Sequence, residues 1–315
     1  MAGRVLTIGT RGSALALEQA RRVRVRLAGV NDLRVVHTGG DRFSESPLGD
    51  QNPAGFFTRE IEDELLRGRI DLAVHSLKDL PVRLAPGLAF GATLPRDDPA
   101  DLLLVRPEAH EPGDRLPLKK GAIIGVSSQR RSALLRLFRP DVSIMPIRGN
   151  VPTRVDKVRG GDFDAILLSR AGLERLTLEV YPLIAYQLNP RRWPGAPGQG
   201  VIAVEVREDD SEVTRQVSAM NDPATALGVH AERSLLAAFG GGCHSPFGAY
   251  SEVGREGNLV VVAAPGSGGG FLVEHFIGAN LEDARGAAEA WVRSSRAPLG
   301  TKEEEWLCRP APPWC

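Results

Sequence analysis

Cysteine is scarce in this chain. Its 315 residues include three cysteines, at positions 243, 308 and 315. An odd count without the short spacing of metal ligands supports neither a disulfide framework nor a zinc site, so no bound metal is expected. Aromatic residues are also few, at 5% of the chain, which argues against the base-stacking surfaces of single-stranded nucleic-acid binders.

The chain also has no formal net charge and no long apolar run. Basic and acidic side chains number 39 each, so the formal net charge is zero, whereas nucleic-acid-binding domains usually carry a basic excess. The first residues lack the apolar run of a signal peptide, and no stretch of the sequence is apolar for long enough to cross a membrane. We therefore expect a cytoplasmic protein with neither nucleic acid nor a membrane as a partner.

The composition that is present fits a globular enzyme of two or three compact units, with 42% apolar and 25% charged residues. Short apolar runs of β type alternate with helical patterns, which predicts an α/β fold of parallel or mixed sheets covered by helices. The predicted strands are Val5–Thr10, Leu33–His37, Ile70–His75, Leu88–Leu94, Ala122–Val126, Val142–Ile147 and Ala165–Ser169. The predicted helices are Ser13–Leu27, Phe56–Leu66, Ser128–Phe138, Asn150–Arg159 and Pro223–Phe239.

Two stretches rich in proline and glycine, Leu94–Pro99 and Asn189–Gly198, interrupt this alternation and indicate crossings between domains. A chain that leaves one lobe at the first crossing and returns at the second forms two lobes with a cleft between them, where ligands usually bind. Towards the C-terminus the pattern changes to a long helix, several strands and another helix. The predicted domains are residues 1–95 plus 198–218 and residues 96–197, both α/β lobes, and residues 219–315, a small α+β domain.

Arginines stand at three predicted helix starts, in the segments Thr10–Ser13, Ser127–Arg131 and Arg148–Arg154. Free N–H groups at a helix start attract carboxylates or phosphates, and a neighbouring arginine adds a bidentate partner. The serine or asparagine of each segment, taken singly, is better explained as a helix cap. Between Gly125 and Arg175, however, ten basic residues stand against five acidic ones. Without a Walker loop or a G-x-G-x-x-G fingerprint, the pattern favours a cleft for carboxylates over one for nucleotide phosphates.

A polar cluster follows the predicted strand Ile70–His75 and ends at Pro81. It contains Asp79 and Lys78, which is one of five lysines in the chain. Strand ends in α/β sheets commonly carry catalytic groups, and a carboxylate there can stabilise a developing cation or transfer a proton. A surface turn with a lysine–aspartate pair explains the same residues and is by itself the simpler interpretation.

Cys243 lies on a glycine-rich loop after the predicted helix Pro223–Phe239, which Asp222 would cap and Gly240 would end. The bare backbone of this loop leaves a thiol accessible, and a protonated His244 beside it would lower the pKa of the thiol. A small buried cysteine in a tight turn is the alternative.

The polar stretch 38–54 is long for a loop inside a compact domain. Such loops are usually lids or disordered segments. We predict a mobile lid over residues 42–54, with an incidental surface loop as an equally good interpretation.

Six motifs resemble those of the porphobilinogen deaminase (hydroxymethylbilane synthase) family and occur in the family's order and spacing. They are Thr10–Leu17, His75–Pro81, Ser127–Arg131, Arg148–Asn150 with Thr153–Arg154, Pro197–Gly200 and Gly241–Cys243. Beyond about residue 250 the chain matches the family only in general pattern. The resemblance implies a three-domain fold whose first two domains are similar to a type II periplasmic-binding-protein pair.

The resemblance also implies a chemistry. A dipyrromethane cofactor would be joined by a thioether to Cys243. Four porphobilinogen molecules would be added to it in turn with loss of ammonia, and hydroxymethylbilane would be released by hydrolysis. Porphobilinogen and the growing polypyrrole would then be the ligands of a monomeric enzyme of tetrapyrrole and haem biosynthesis. Each pyrrole ring brings two carboxylates, which fits an arginine-rich cleft.

By this resemblance, Asp79 is the catalytic carboxylate and Lys78 lies beside it. The residues expected to bind the cofactor, besides Cys243, are Lys78, Ser128, Arg130, Arg131, Arg148 and Arg154. Those expected to bind the substrate are Arg11, Ser13, Arg148, Arg154 and Arg175. Four residues differ from those frequent in the family. Gly39 and Ala54 replace an arginine and a lysine and leave the predicted lid with less positive charge, Arg59 keeps the charge of the common lysine, and Val126 replaces a threonine.

Two other functions share parts of this pattern. A non-catalytic two-lobed binding protein for organic polycarboxylates explains the cleft, but it predicts a secretory signal and leaves Cys243 without a role. An arginine-rich RNA-binding protein explains the basic segment but predicts aromatic platforms. Between Gly125 and Arg175 the aromatic residues are Phe138 and Phe163 alone.

Overall fold

Three β-sheets organise the fold in the computed structural model, which describes residues 5–29, 31–39, 58–113, 116–242, 244–254, 257–267 and 270–295. The predicted lid 42–54, the predicted cofactor cysteine Cys243 and the tail with Cys308 and Cys315 lie outside these ranges. Among the described residues, none of the helices combines the length and the apolar character needed to cross a bilayer.

The first sheet joins the N-terminal strands to one strand from much later in the chain. Its strands are β1 (Leu6–Thr10), β2 (Asn31–Val35), β3 (Leu72–Ser76), β4 (Leu88–Thr93) and β10 (Ile202–Arg207), in the order β2-β1-β3-β10-β4. The helices are α1 (Ala14–Arg24), α2 (Arg59–Leu66) and α6 (Ser211–Ser218). Val23 of α1 and Val213 of α6 belong to the apolar cluster on one face, and Ile61 of α2 belongs to that on the other. Helices therefore cover both faces, as predicted.

The second sheet repeats this plan. Its strands are β5 (Asp101–Val105), β6 (Ile123–Val126), β7 (Ser143–Pro146), β8 (Ala165–Ser169) and β9 (Ile184–Gln187), in the order β7-β6-β8-β5-β9. The helices are α3 (Gln129–Phe138), α4 (Val151–Arg159) and α5 (Arg170–Arg175). β5 is antiparallel to β8 and β9, just as β10 is antiparallel to β3 and β4. The predicted pair of α/β lobes is confirmed.

The third sheet is antiparallel and smaller. It consists of β11 (Gly248–Gly254), β12 (Gly257–Pro265) and β13 (Phe271–Gly278), and it packs against α7 (Pro223–Phe239) and α8 (Leu281–Ser294). Asp222 caps α7 by accepting from the Thr225 N–H, and Gly240 ends the helix with φ 74°. This is the predicted small α+β domain, with its predicted first helix.

The predicted elements are present, and their ends agree within three residues where the structure describes them. The start of the predicted helix Phe56–Leu66 lies outside the described residues. The strands β5, β9 and β10 were not predicted. Asp101 stands at the head of the apolar run of β5 and Glu205 interrupts that of β10, yet both side chains are fully buried. A buried charged residue is not part of the apolar pattern by which a central strand is recognised.

The two linkers between the lobes lie side by side. The Leu94 N–H donates to the Ile202 carbonyl and the Asp97 N–H to the Gly200 carbonyl, each at 3.0 Å. Gly200 has φ +87°, and a Cβ there would lie 2.4 Å from the Asp97 carbonyl oxygen. This close approach of two backbones requires glycine at position 200.

Candidate active site

The predicted catalytic pair lies on a tight turn after a central strand. β3 leads into a 3₁₀ turn at Leu77–Asp79, where Leu77 is fully buried and anchors the turn. Lys78 and Asp79 are half-buried beside it. The returning linker packs against the same turn, because a Cβ at Gly198 would lie 2.8 Å from the Leu77 side chain. The linker that returns from the second lobe therefore lies directly against this turn.

Lys78 reaches from the first lobe towards the second. Its Nζ donates to Oε1 of Gln199 at 3.5 Å. Burial lowers the pKa of Lys78 to about 8, against the opposing effect of Asp79. Among the smaller contributions to this pKa, Arg131 lowers it and Asp101 raises it, so the ammonium group lies within electrostatic reach of groups from both lobes.

The serine and asparagine at the three predicted helix starts do act as caps. Ser13 accepts from the Ala16 N–H at 3.3 Å and Ser128 from the Arg131 N–H at 3.4 Å. Asn150 caps α4 in the same way. Arg11 is half-buried just before α1. Their binding roles stay predictions.

Three arginines of the second lobe form a cationic cluster. Arg154 donates to the Gly149 carbonyl at 2.7 Å and to the Ser127 hydroxyl at 3.0 Å. Burial, together with the positive charges of Arg131 and Arg148, lowers the pKa of Arg154 to about 10. An anion placed among these guanidinium groups would relieve both penalties.

Arg130 and Arg131 share one buried carboxylate that the sequence did not point to. Asp101 accepts from Nη1 of Arg130 at 3.0 Å, and from Nε and Nη2 of Arg131 at 3.1 and 2.6 Å. Burial tends to raise the pKa of Asp101, but the two guanidinium groups hold it well below its usual range. The sole sequence signal was an aspartate at the head of an apolar run directly after a linker.

Arg175 lies with the linkers. Its Nε donates to Asp97 at 2.7 Å and its Nη2 to the Gly200 carbonyl at 2.7 Å, and the side chain is buried. Arg22 of α1 also contacts Asp97, at 3.4 Å. The structure therefore groups Arg175 with the crossing between lobes, and its assignment to the substrate stays a prediction.

His244 follows Cys243, the predicted cofactor cysteine, and its pKa responds to charged groups of the cleft. Burial lowers the pKa of His244, the carboxylate of Asp79 raises it, and Arg148 lowers it. The net shift is downward from 6.5. A neutral imidazole is therefore expected at pH 7, and this argues against the hypothesis that a protonated His244 stabilises the thiolate.

These groups fit a ligand that carries several carboxylates. Lys78, Arg131, Arg148 and Arg154 provide positive charge that nearby acids balance only in part. Among the described residues, the buried Nε of Arg130 has no hydrogen-bond partner. A dipyrromethane group attached to the adjoining loop would bring carboxylates to this donor set.

Comparison with solved structures returns two-lobed binding proteins. An ancestral arginine-binding protein bound to arginine is 13% identical with a TM-score of 0.38, covering 70% of this chain and 92% of that one. A Salmonella typhimurium periplasmic binding protein with high arginine specificity is 11% identical with a TM-score of 0.40, covering 71% and 94%. At TM-scores below 0.5, these similarities carry no conclusion.

Comparison of sequences is decisive. The family model "Porphobilinogen deaminase, dipyromethane cofactor binding domain" matches residues 6–215, and "Porphobilinogen deaminase, C-terminal domain" matches residues 226–264. The porphobilinogen deaminase of Syntrophomonas wolfei is 44% identical over 255 residues, covering 79% of this chain and 81% of the relative. That of Roseiflexus castenholzii is 40% identical over 292 residues, covering 90% and 93%. This chain therefore belongs to the porphobilinogen deaminase family.

Proposed function

We propose that this protein joins four porphobilinogen molecules head to tail with loss of ammonia and releases hydroxymethylbilane by hydrolysis, as a transferase of tetrapyrrole and haem biosynthesis. The primer is a dipyrromethane cofactor held by a thioether at Cys243. The observation that carries the proposal is the placement of Lys78, next to Asp79 in the same turn, against Gln199, which bonds to the Asp101 carboxylate that also binds Arg131 of the second lobe.

The arginines neutralise the carboxylates of the ligands. When bound, the dipyrromethane supplies a primer ring to which the first substrate molecule bonds. Arg131, Arg148 and Arg154 then bind acetate and propionate groups through charge-assisted hydrogen bonds. Because Arg154 is buried near two other cations, its charge is more favourable once a carboxylate lies beside it. Arg11, Ser13, Ser128, Arg130 and Arg175 are assigned to the same ligands on the family resemblance.

Asp79 is proposed to serve the reaction twice. Positive charge develops on the substrate pyrrole as ammonia leaves, and a carboxylate near the ring N–H stabilises it. Formation of the new carbon–carbon bond then requires loss of a proton from a ring carbon, and a carboxylate can accept it. Lys78, next in the chain, supplies a counter-charge for a ligand carboxylate.

The ligands, the location and the domain limits belong to the same proposal. Porphobilinogen and the growing polypyrrole are the partners of a monomer in the cytoplasm, with no nucleic acid. The lobes divide at residues 95–96 and 197–198, and the third domain begins near residue 219. The side-by-side linkers at Leu94–Ile202 and Asp97–Gly200 support the first two limits.

A non-catalytic binding protein for organic polycarboxylates is the alternative, and an intact-mass measurement separates the two. We expect purified protein to exceed its sequence mass by two pyrrole units and to convert porphobilinogen to hydroxymethylbilane with release of ammonia. A protein of sequence mass that binds porphobilinogen without consuming it would favour the binding protein.

A further inference from the structure

Asp101 accepts hydrogen bonds from side chains of the second lobe and of the linker that returns to the first lobe. It opens β5 directly after the first linker, and its side chain is fully buried. Besides the bonds from Arg130 and Arg131, it accepts from Nε1 of Trp193 at 3.0 Å and from Nε2 of Gln199 at 2.8 Å. A carboxylate with this many fixed donors holds its partners in one orientation.

The guanidinium of Arg131 is fixed on two sides. Nε and Nη2 face the two oxygens of Asp101, while Nη1 donates to the Leu167 carbonyl at 3.0 Å. One carboxylate faces two guanidinium groups here, so positive charge is left over at the arginine pair. That charge is available to a ligand carboxylate in the cleft.

Gln199 connects Asp101 to Lys78 of the first lobe through hydrogen bonds at both ends of its side-chain amide. Its Nε2 donates both to the Pro99 carbonyl and to Asp101, at 2.8 Å each. With the amide nitrogen bound in this way, Oε1 points to Nζ of Lys78 at 3.5 Å. Asp101 and the Pro99 carbonyl together therefore fix which end of the Gln199 amide faces Lys78.

We propose that Asp101 is a positioning residue for the polymerisation, which fixes Arg131 of the second lobe and, through Gln199, Lys78 of the first lobe so that both cations meet the ligand carboxylates. The inference rests on the proposed function. It assigns to Asp101 no contact with the substrate.

Asp101 also contributes to the pKa of Lys78. The charged groups that act on Lys78 are Asp79 in its own turn, Asp101 on β5, and Arg130 and Arg131 on α3. The carboxylates raise the pKa of Lys78 and the arginines lower it, in addition to the effect of burial. With Asp101 neutral, the arginines are less opposed, so Lys78 loses its proton at lower pH.

The test compares Asp101→Asn with Asp98→Asn. Asp98 lies in the same linker and accepts from Arg170, Gln187 and the Ala100 N–H, and none of these bonds is to Lys78, Arg131 or Gln199, so it is a control change of the same chemistry. In wild type we expect kcat/KM for porphobilinogen to fall as pH rises through about 8, since this ratio reports the free enzyme. Asp101→Asn should move this fall to lower pH and raise KM about tenfold at pH 7.5, with less change in kcat. Asp98→Asn should keep the wild-type profile.

Cofactor loading gives a readout apart from activity. Intact mass should show a larger fraction of cofactor-free chain in Asp101→Asn than in Asp98→Asn. If Asp101→Asn does not fold, Gln199→Leu replaces it, because this change removes the acceptor of Lys78 and leaves the arginine pair on Asp101. The inference would be overturned if the folded variant carried as much cofactor as wild type and if its kcat/KM fell at the same pH as that of wild type. Failure of the proposed function would look different, since wild type itself would then carry no dipyrrole.

Discussion

Arg96 of the first linker donates to both carboxylate oxygens of Glu232 on α7, at 2.6 and 3.1 Å. The same carboxylate accepts from the Gly198 N–H of the second linker at 2.8 Å, and from the N–H and hydroxyl of Ser251 on β11 at 2.9 Å each. One fully buried side chain thus ties both linkers to the third domain.

Glu232→Gln should strongly destabilise the protein. The change leaves the Arg96 guanidinium, 15% exposed, without a charged partner, and breaking a buried pair in this way costs about 3–5 kcal/mol. The loss of stability is measured as the difference in the free energy of unfolding in urea between wild type and variant. The control is Glu252→Gln, because Glu252 pairs with Arg191 at 2.8 Å near the surface. This variant should lose less than about 1 kcal/mol of unfolding free energy. Equal losses in the two variants would contradict the role of Glu232.

Asp79→Asn should lower the rate of pyrrole addition by about 10²–10⁴-fold, because the amide keeps the size but neither stabilises a cation nor accepts a proton. Single-turnover addition of porphobilinogen to cofactor-loaded protein measures the step apart from cofactor assembly. Asp79→Glu should retain a small activity. Lys78→Arg, the neighbouring control, should weaken binding more than it slows addition. If Asp79→Asn adds pyrroles nearly as fast as wild type, another acid must carry the chemistry.

Cys243→Ser should abolish both the dipyrrole mass increment and turnover, because a serine hydroxyl does not replace the thiol as the attachment atom. Cys308→Ser and Cys315→Ser are the matched controls and should leave both unchanged, since those cysteines lie in a proline-rich tail far in sequence from the anion motifs. Intact mass of the purified variants measures the increment. A Cys243→Ser chain that still carried the dipyrrole would show that the cofactor is not attached at Cys243.

Glu62→Gln should stabilise the protein at neutral pH. Burial of Glu62 on α2 raises its pKa, the nearby Thr58 side chain opposes this, and the Glu205 carboxylate raises it. A carboxyl whose pKa is higher folded than unfolded costs stability as pH rises from its unfolded value of 4.5 through the folded one. The glutamine cannot ionise, so unfolding free energies measured from pH 4 to pH 8 should fall less with pH. Glu208→Gln, an exposed control, should follow the wild-type slope.

Local sequence signals determined most helices and most strands of this protein, but not the helices α5 and α6. The cap at Asp222 and the stop at Gly240 depend on a few neighbouring residues, so both could be predicted before any tertiary contact was known. The alternation of apolar runs likewise predicted two α/β lobes and a small third domain. Motifs near the catalytic turn and the helix starts identified the family for the same reason, since each is contiguous in the chain.

The tertiary structure alone decided which charged groups meet. Asp101 bonds to Arg131, 30 residues on, and to Gln199, 98 residues on, while Arg175 pairs with Asp97 from 78 residues earlier. A sequence pattern reports burial and period, but these pairs form because the chain crosses twice between lobes and inserts β5 and β10 as antiparallel strands. The order of strands in each sheet, which no local signal encodes, brings those side chains together.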